Sequence, residues 1–159
     1  MKLAKVCLTL ALGALAFGLF AADKLAWNND FQKAMETAAK EKKMIFALFT
    51  GSDWCPYCII LDKEVLQKKK FIQKAGDDFV FFIADFPRKK QLDKDTALQN
   101  QKLAQQYKIA GFPTVLLMDA EGKVLANVPY QPGSGESKYL DKLDKSVKAA
   151  AKKAVKQAR

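Results

Sequence analysis

The sequence predicts an α/β fold with a mixed central sheet and helices on both of its faces. Two apolar runs of strand length, at residues 44–49 and 79–85, are each followed by a polar break and then by an amphipathic helical pattern. Strands that alternate with helices in this way pair in parallel. Two further strands flank the Glu121-Gly122 turn and add an antiparallel hairpin to the sheet.

Residues 1–22 have the pattern of a secretory signal peptide, which leaves residues 23–159 as one domain with a basic Ala/Lys helical tail. Lys2 and Lys5 precede an uncharged apolar stretch that ends in small residues, with cleavage expected after Ala16 or near Ala22. The alternative is an uncleaved membrane anchor, although the stretch is at the lower limit of length for spanning a bilayer. We therefore expect a periplasmic or secreted protein.

The charge balance argues against a nucleic-acid partner. The chain has 27 Lys and Arg against 17 Asp and Glu, a net charge of +10, and loss of Lys2 and Lys5 would leave +8. Nucleic-acid binding requires such charge to cluster with aromatic residues on one face. Here the lysines are scattered and enriched near the end of the chain. Their expected effect is solubility or weak attraction to acidic surfaces.

Capping residues and apolar periodicity set the remaining boundaries. Asn28, Asn29 and Asp30 are good N-cap residues for a first helix, and we expect Trp27, just before them, to belong to the core. In chain order the pattern predicts a helix to Lys40, a strand at 44–49, a helix from the cysteines to about Ile72 and a strand at 79–85. A loop at 86–95, a helix at 96–108, strands at 114–119 and 124–128, and a final helix at 136–159 follow. Past Ala149 the final helix has almost nothing to bury.

Cys55 and Cys58 are the candidate catalytic residues, because they lie where a buried strand ends and a helix begins. The first turn of a helix has unpaired N–H groups and the positive end of the dipole, which stabilise a thiolate. The thiolate is the attacking species in disulfide chemistry. Cys58 is three residues on, on the same helical face, and Pro56 suits the first helical position. We predict that Cys55 attacks a substrate disulfide and that Cys58 resolves the mixed disulfide.

A structural disulfide and half of a zinc site are the alternatives for a Cys-x-x-Cys pair. The chain has no histidine and three cysteines, so Cys and His cannot supply four zinc ligands. Ile59 follows Cys58, which breaks the haem-attachment pattern. A disulfide over two intervening residues closes a very small loop and removes little entropy from the unfolded chain. Redox chemistry is the better interpretation, and we expect no metal and no cofactor beyond the dithiol itself.

The chain resembles the thioredoxin superfamily in three motifs. These are Trp54-Cys55-Pro56-Tyr57-Cys58 after a buried strand, the segment from Tyr107 to Thr114 that contains Gly111-Phe112-Pro113, and the hairpin turn from Asp119 to Val124. The resemblance implies a thioredoxin-like fold and a cis Phe112–Pro113 bond beside the cysteines. It also implies a substrate-binding surface formed by Trp54, Pro56, Tyr57, Phe112 and Pro113.

Thr50-Gly51-Ser52-Asp53 before the motif makes the chain most similar to exported bacterial thioredoxins of the DsbH type. That similarity implies a protein-disulfide reductase that acts on disulfide-bonded exported proteins and draws electrons from a membrane thiol carrier. No separate dimerisation region is evident, so we expect a monomer. The alternatives are a disulfide oxidase or isomerase with the same site, and a non-catalytic module that holds a static disulfide or a thiophilic metal such as Cu(I).

One position departs from the family pattern. Thioredoxins carry a buried aspartate on the strand before the cysteines, and the matching residue here is Leu48 or Phe49. The lysine usually paired with that aspartate falls among Phe81 and Phe82. The proton acceptor for Cys58 is therefore unidentified. Asp53 is a candidate only because it is near in sequence, and a water-facing loop carboxylate is the simpler interpretation.

Overall fold

The computed structural model describes residues 24–157. The signal peptide predicted at 1–22, together with Cys7, lies outside the described residues. Within the described part of the chain, no helix is both long enough and apolar enough to cross a membrane.

The core of the molecule is a mixed five-stranded sheet with the spatial order β1-β3-β2-β4-β5. Its strands are β1 Trp27–Asn28, β2 Met44–Thr50, β3 Phe79–Asp85, β4 Thr114–Met118 and β5 Val124–Asn127. The pairs β1–β3 and β2–β3 are parallel, whereas β2–β4 and β4–β5 are antiparallel. The predicted combination of parallel crossovers and a terminal hairpin is confirmed.

Five α-helices cover the two faces of this sheet. They are α1 Phe31–Glu41, α2 Pro56–Leu61, α3 Lys69–Ala75, α4 Lys94–Gln106 and α5 Gly135–Gln157, with a π-helical turn at Asp62–Leu66 between α2 and α3. Asp30 caps α1 by accepting the N–H of Lys33, and Asp93 caps α4 by accepting the N–H of Thr96. These are the short polar side chains that helix N-termini favour.

The central strand β2 is buried on both faces, and its side chains point alternately into two separate apolar clusters. Phe46 and Leu48 pack with residues of α2, α3 and α5, whereas Ile45 and Phe49 pack with residues of α1 and α4. Successive side chains of a strand point to opposite faces, so one apolar run supplies both cores. The carboxyl end of β2 is thereby held between two packed layers, and the cysteine pair follows directly from it.

Three local features differ from the prediction. Trp27 and Asn28 form a short edge strand, whereas the prediction had them only precede a helix. Two contacts with β3 hold this strand. Asn28 donates from Nδ2 to Phe81 O at 3.1 Å, and Trp27 packs edge-on against the Phe81 ring. The helix predicted from the cysteines to about Ile72 is broken, since Lys68 is extended between the π-helical turn and α3. This break lets both Leu66 and Phe71 reach the core.

The end of α5 also packs more than predicted. Ala150 is fully buried, and Lys153 donates from Nζ to the carbonyl of Val124 at 2.6 Å. Residues 151–155 are otherwise exposed, as the Ala/Lys composition indicated. The part of α5 that contacts the rest of the fold thus extends further toward its C-terminus than the hydrophobic pattern indicates.

Candidate active site

The two cysteines form a close pair at the start of α2. Their sulfur atoms lie at disulfide contact, and their Cα atoms are 5.2 Å apart. The strand β2 ends at Thr50, the segment 51–54 turns the chain, and α2 begins at Pro56. This strand–loop–helix arrangement was predicted from the sequence, and the arrangement is that of a Cys-x-x-Cys redox site.

The backbone around the pair distinguishes the two sulfur atoms. Cys55 is the N-cap residue of α2, and its Sγ accepts the N–H of Cys58 at 3.3 Å. A hydrogen bond from a backbone donor at a helix start favours the thiolate form of the capping sulfur. Burial does not separate the two residues, because Cys55 is 5% exposed and Cys58 4% exposed. Helix position, rather than exposure, distinguishes the two sulfur atoms.

The segment before β4 lies directly against Cys55. The Phe112–Pro113 peptide bond is cis, and the carbonyl oxygen of Phe112 lies 3.7 Å from Cys55 Sγ. Thr114 donates from Oγ1 to Gly111 O at 2.7 Å, which closes the turn around this bond. The sequence places these residues more than fifty positions from the cysteines, and the β2–β4 pairing brings the two segments together.

The five residues predicted to bind substrate surround the pair. The Trp54 and Phe112 rings meet edge to face, with centroids 6.1 Å apart. Tyr57 is 54% exposed and Pro56 is also exposed, so both are on the outer surface of α2. Together with Pro113 they form a partly exposed, largely aromatic surface around two buried sulfur atoms.

Trp54 is held in place from two sides. Its Nε1 donates to the carbonyl of Phe86 at 2.7 Å. On the other side Gly51 is so close that an added Cβ would lie 2.6 Å from both Cε2 and Nε1 of the indole. Glycine is therefore required at position 51 by the approach of the indole to the backbone, and the loop before the cysteines has one packed arrangement.

Asp53, the sequence's candidate proton acceptor, is instead the anchor of the loop after β3. Its carboxylate accepts the backbone N–H groups of Arg88 at 2.9 Å, Lys89 at 2.7 Å and Lys90 at 3.3 Å. The bond from Arg88 is the largest of the effects that lower the pKa of Asp53. A carboxylate with a lowered pKa is a poor proton acceptor. Asp53 remains a solvent-facing loop carboxylate, and its additional role is to anchor the backbone of residues 88–90.

Asp85 at the end of β3 is a second anchor that the sequence analysis did not single out. Its carboxylate accepts the N–H of Ser52 at 2.9 Å and the Oγ–H of Ser52 at 2.7 Å, and it pairs with Lys90 Nζ at 2.9 Å. Strands β2 and β3 are parallel, and their register pairs Thr50 with Asp85. The carboxyl ends of the two strands therefore meet at one edge of the sheet. The sequence signal that could have indicated Asp85 is its position as a polar residue at the carboxyl end of a buried strand, where sites of α/β sheets lie.

Phe86 also joins the site without having been predicted. Its ring stacks on that of Phe112 at a centroid distance of 5.0 Å, and its N–H donates to Thr50 O at 2.8 Å. The prediction placed Phe86 in a polar surface loop. Only the parallel pairing of β2 with β3 shows that this loop starts beside the cysteines.

The positions that depart from the thioredoxin pattern are apolar in three dimensions as well. Leu48 and Phe49 are buried, at 5% and 0% exposure, and Leu48 pairs with Ile83 of β3. Phe81 and Phe82 lie farther back on β3, opposite Phe46 and Ala47. The strand before the cysteines therefore holds no carboxylate at these positions.

Among residues 24–157 there is no group of three or more Cys, Asp or Glu side chains arranged to hold a metal ion.

Comparison with known proteins agrees with this geometry. The disulfide bond reductase DsbH of Chlamydia pneumoniae is 38% identical over 128 residues, which are 80% of this chain and 76% of the relative. The thioredoxin-related protein DsbJ of the same organism is 27% identical over 106 residues, which are 67% of this chain and 30% of DsbJ. A solved structure of a DsbH oxidoreductase superposes with a TM-score of 0.74 at 33% identity, covering 92% of this chain and 95% of that one.

The family comparison covers nearly all of the described residues. Residues 31–152 match the thioredoxin-like domain family, a range that contains the cysteine pair, the cis proline and the sheet from β2 to β5. With this match, the sheet order and the cysteine geometry in place, the chain belongs to the thioredoxin-like domain family.

Proposed function

We propose that this protein is an exported thiol–disulfide oxidoreductase that reduces disulfide bonds in other proteins. The observation that carries the proposal is the position of Cys55, whose sulfur caps α2, contacts Cys58 and lies 3.7 Å from the carbonyl of Phe112. The similarity to a protein named disulfide bond reductase supports reduction as the direction.

The proposed reaction uses two thiol–disulfide exchanges. The Cys55 thiolate attacks one sulfur of the substrate disulfide, forming a Cys55–substrate bond and releasing the other substrate sulfur as a thiolate. The Cys58 thiolate then attacks Cys55 Sγ, forming the Cys55–Cys58 bond and releasing the second substrate sulfur. Two electrons pass from the enzyme dithiol to the substrate, whose thiolates take up protons from water. A thiol donor must afterwards reduce the Cys55–Cys58 disulfide again.

Substrate binding is proposed at the aromatic surface around the pair. Trp54, Tyr57 and Phe112 offer apolar area, while Pro56 and Pro113 shape the surface on either side of the sulfur atoms. An open cavity of about 430 Å³ is lined by Phe112 and Pro113 together with the rest of the segment from Tyr107 to Thr114. An extended peptide there is placed to pair with the backbone of Phe112, as in strand addition.

The N-terminal sequence and the relatives support a proposed compartment and proposed partners. We propose export through residues 1–22, substrates that are exported disulfide-bonded proteins, a membrane thiol carrier as electron donor, and a monomeric enzyme without a nucleic-acid partner. Sequencing the N-terminus of the protein recovered from the exported fraction tests the export step. A chain that retains Met1 and stays with the membrane would show an anchor instead.

The direct test of catalysis is a trapping experiment. Cys58→Ala leaves Cys55 without its resolving partner, so mixed disulfides with substrates should accumulate and should be released by dithiothreitol. Cys55→Ala is the matched control and should trap nothing. If Cys58→Ala forms no mixed disulfide with an unfolded disulfide-bonded protein, the pair is a static disulfide or a metal-binding pair, and the catalytic proposal is wrong.

The reduction potential of the pair tests the direction. Equilibration with glutathione buffers at about pH 7 should give a potential at or below about −220 mV, toward the range of glutaredoxins and thioredoxin. A potential near about −120 mV would indicate a strongly stabilised thiolate and an oxidase. That value would reject reduction while leaving the trapping result intact.

A further inference from the structure

We propose that Arg88 and Lys89 form a second recognition element beside the cysteine pair, which selects substrate disulfides flanked by acidic residues. The inference rests on the proposed reductase function and names the class of substrate that this function prefers. It is carried by the rigid attachment of the loop 86–90 to the residues around Cys55. Arg88, Lys89 and Lys90 give this loop a concentrated positive charge.

The backbone of the loop is fixed at several points. Asp53 binds the N–H groups of residues 88–90, Trp54 Nε1 donates to the Phe86 carbonyl, and the Phe86 ring stacks on Phe112. Asp53 and Trp54 lie within two residues of Cys55, and Phe112 directly precedes Pro113. The loop is therefore one rigid unit with the cysteine pair, and its charges keep their place relative to Cys55 Sγ before substrate binds.

Arg88 lies on the aromatic surface itself. Its Cζ is 3.7 Å from the centroid of the Trp54 ring, a cation–π contact that aligns the guanidinium with the indole. Stacking leaves the N–H groups at the edge of a guanidinium able to donate to a carboxylate. A peptide lying on Trp54, the residue before Cys55, would thus meet a guanidinium.

The acidic residues nearby do not cancel these two cations. The Asp53 carboxylate is occupied by backbone N–H groups, and the Asp85 carboxylate by Ser52 and by Lys90. In the part of the chain that the structure describes, neither Arg88 nor Lys89 makes a salt bridge. Both residues are exposed, so their charges are accessible to approaching molecules.

Two exposed cations on this anchored loop, one of them stacked on Trp54, change the rate at which charged substrates associate. Complementary charge raises association rates, and the effect disappears as salt screens it. Because the loop is already ordered, an acidic substrate does not have to offset the entropy of ordering it. The expected result is a preference for acidic flanking residues that is strong at low ionic strength and weak at high ionic strength.

The test uses three disulfide peptides that differ only in the residues next to their cysteines, which are Glu, Gln or Lys. The full-length reduced protein is mixed with each peptide, and the second-order rate constant of peptide reduction is measured. Each rate constant is divided by that for dithiothreitol with the same peptide, which removes differences in intrinsic reactivity. At an ionic strength of about 0.01 M we expect the normalised Glu:Lys ratio to be about tenfold, and near unity at about 1 M.

Two variants remove or reverse the charge without removing the loop anchors, since Asp53 binds backbone rather than side chains at positions 88 and 89. Arg88→Gln/Lys89→Gln should bring the normalised Glu:Lys ratio close to one. Arg88→Glu/Lys89→Glu should invert it. The ratio is the measured quantity, so a uniform change in rate for all three peptides does not count as support.

The matched control is Lys42→Glu/Lys123→Glu, which makes the same change in net charge as Arg88→Glu/Lys89→Glu at two other exposed positions. Lys42 precedes β2 and Lys123 follows the β4–β5 turn, both at the end of the sheet opposite the cysteines. The seven residues of β2 correspond to a separation of about 20 Å. This variant should keep the acidic preference.

The outcomes separate this inference from the proposed function. Reduction of all three peptides with equal normalised rates would overturn the inference and leave the reductase intact. An acidic preference that survives Arg88→Gln/Lys89→Gln, or that is lost in the Lys42→Glu/Lys123→Glu control, would also overturn it. If the wild-type protein reduces none of the peptides, the reductase proposal fails, and the inference fails with it.

Discussion

Two polar regions of this molecule are built in opposite ways. The loop cluster, formed by residues 51–54 and 85–90, lies at the surface beside the cysteines, and its carboxylates and its indole N–H are hydrogen-bonded. The tyrosine cluster, formed by Glu64, Tyr130 and Tyr139, lies between the π-helical turn and α5. Each of its three side chains has a buried oxygen with no hydrogen-bond partner among the described residues.

The difference shows which forces position each region. In the loop cluster, directional hydrogen bonds fix the indole and the charged loop relative to Cys55. In the tyrosine cluster, apolar contact dominates. Tyr139 is fully buried, and its ring lies 6.1 Å from those of both Phe71 and Tyr130. Burial raises the pKa of the Tyr139 phenol far above its ordinary value, and it also raises that of Tyr130, with a smaller contribution from the Glu64 charge.

The largest expected effect comes from filling the space at Gly51. Gly51→Ala would place a Cβ within 2.6 Å of the Trp54 indole, so either the ring or the backbone must move. Overpacking of this kind costs about 1–3 kcal/mol of the free energy of unfolding. Disulfide reduction should fall together with stability, because Trp54 is displaced from the site. Denaturant unfolding and the rate of disulfide reduction measure the two effects.

Gly111→Ala is the control for that substitution, since an added Cβ there meets nothing within 4 Å. It should change the free energy of unfolding by no more than about 0.5 kcal/mol. If the two alanine variants were equally stable, the close approach of Trp54 to the backbone would not be a constraint on this loop.

A pair of Tyr→Phe substitutions contrasts a bonded phenol with an unbonded one. Tyr107 donates its O–H to Gly122 O at 2.8 Å, so Tyr107→Phe should lower the free energy of unfolding by about 1 kcal/mol. Tyr139→Phe removes a buried hydroxyl that has no partner in the described chain and should be neutral or stabilising by up to about 1 kcal/mol. Urea or guanidinium unfolding measures both. A loss above about 1 kcal/mol for Tyr139→Phe would mean that its hydroxyl is hydrogen-bonded in solution.

The smallest and most local effect is expected at Asp53. Its pKa is lowered in the folded protein, chiefly by the N–H of Arg88, so the ionised form is the one that holds the loop. The contribution to stability is fully present above the ordinary pKa of about 4 and is lost as the pH falls through the lowered value. The amide resonances of Arg88, Lys89 and Lys90 should shift in that acidic range and exchange faster there.

Asp53→Asn should remove this pH dependence and speed exchange at those amides even at neutral pH, with little change in global unfolding. Asp93→Asn is the control, because Asp93 also has a lowered pKa but holds the N-terminus of α4 through Thr96 N–H. It should leave the loop amides as they are. Loop amides that titrate equally in both variants would show that Asp53 is not the anchor.

Sequence patterns predicted the regular elements and the cysteine pair but missed contacts that depend on pairing between distant strands. The apolar runs of β2 and β3 were long enough to identify, whereas β1 has two residues and no usable period. The break before α3 was missed because Val65, Leu66, Phe71 and Ile72 all fit an apolar helical pattern. Asp85 and Phe86 looked like the start of an ordinary loop until the β2–β3 register brought them beside Ser52 and Trp54.

The sequence by itself determined the alternation of strands and helices, the position of Cys55 and Cys58 at a helix start, and the presence of the Phe112-Pro113 motif. These are local properties, set by apolar periodicity and by residue types at neighbouring positions. Tertiary structure alone decided that Asp53 anchors the loop after β3, that Gly51 makes room for an indole, and that Arg88 lies over Trp54. The roles of Asp53 and Arg88 require the carboxyl ends of two parallel strands to meet, which no spacing within one segment encodes. The role of Gly51 depends on the folded path of the loop, which places the Trp54 indole against its backbone.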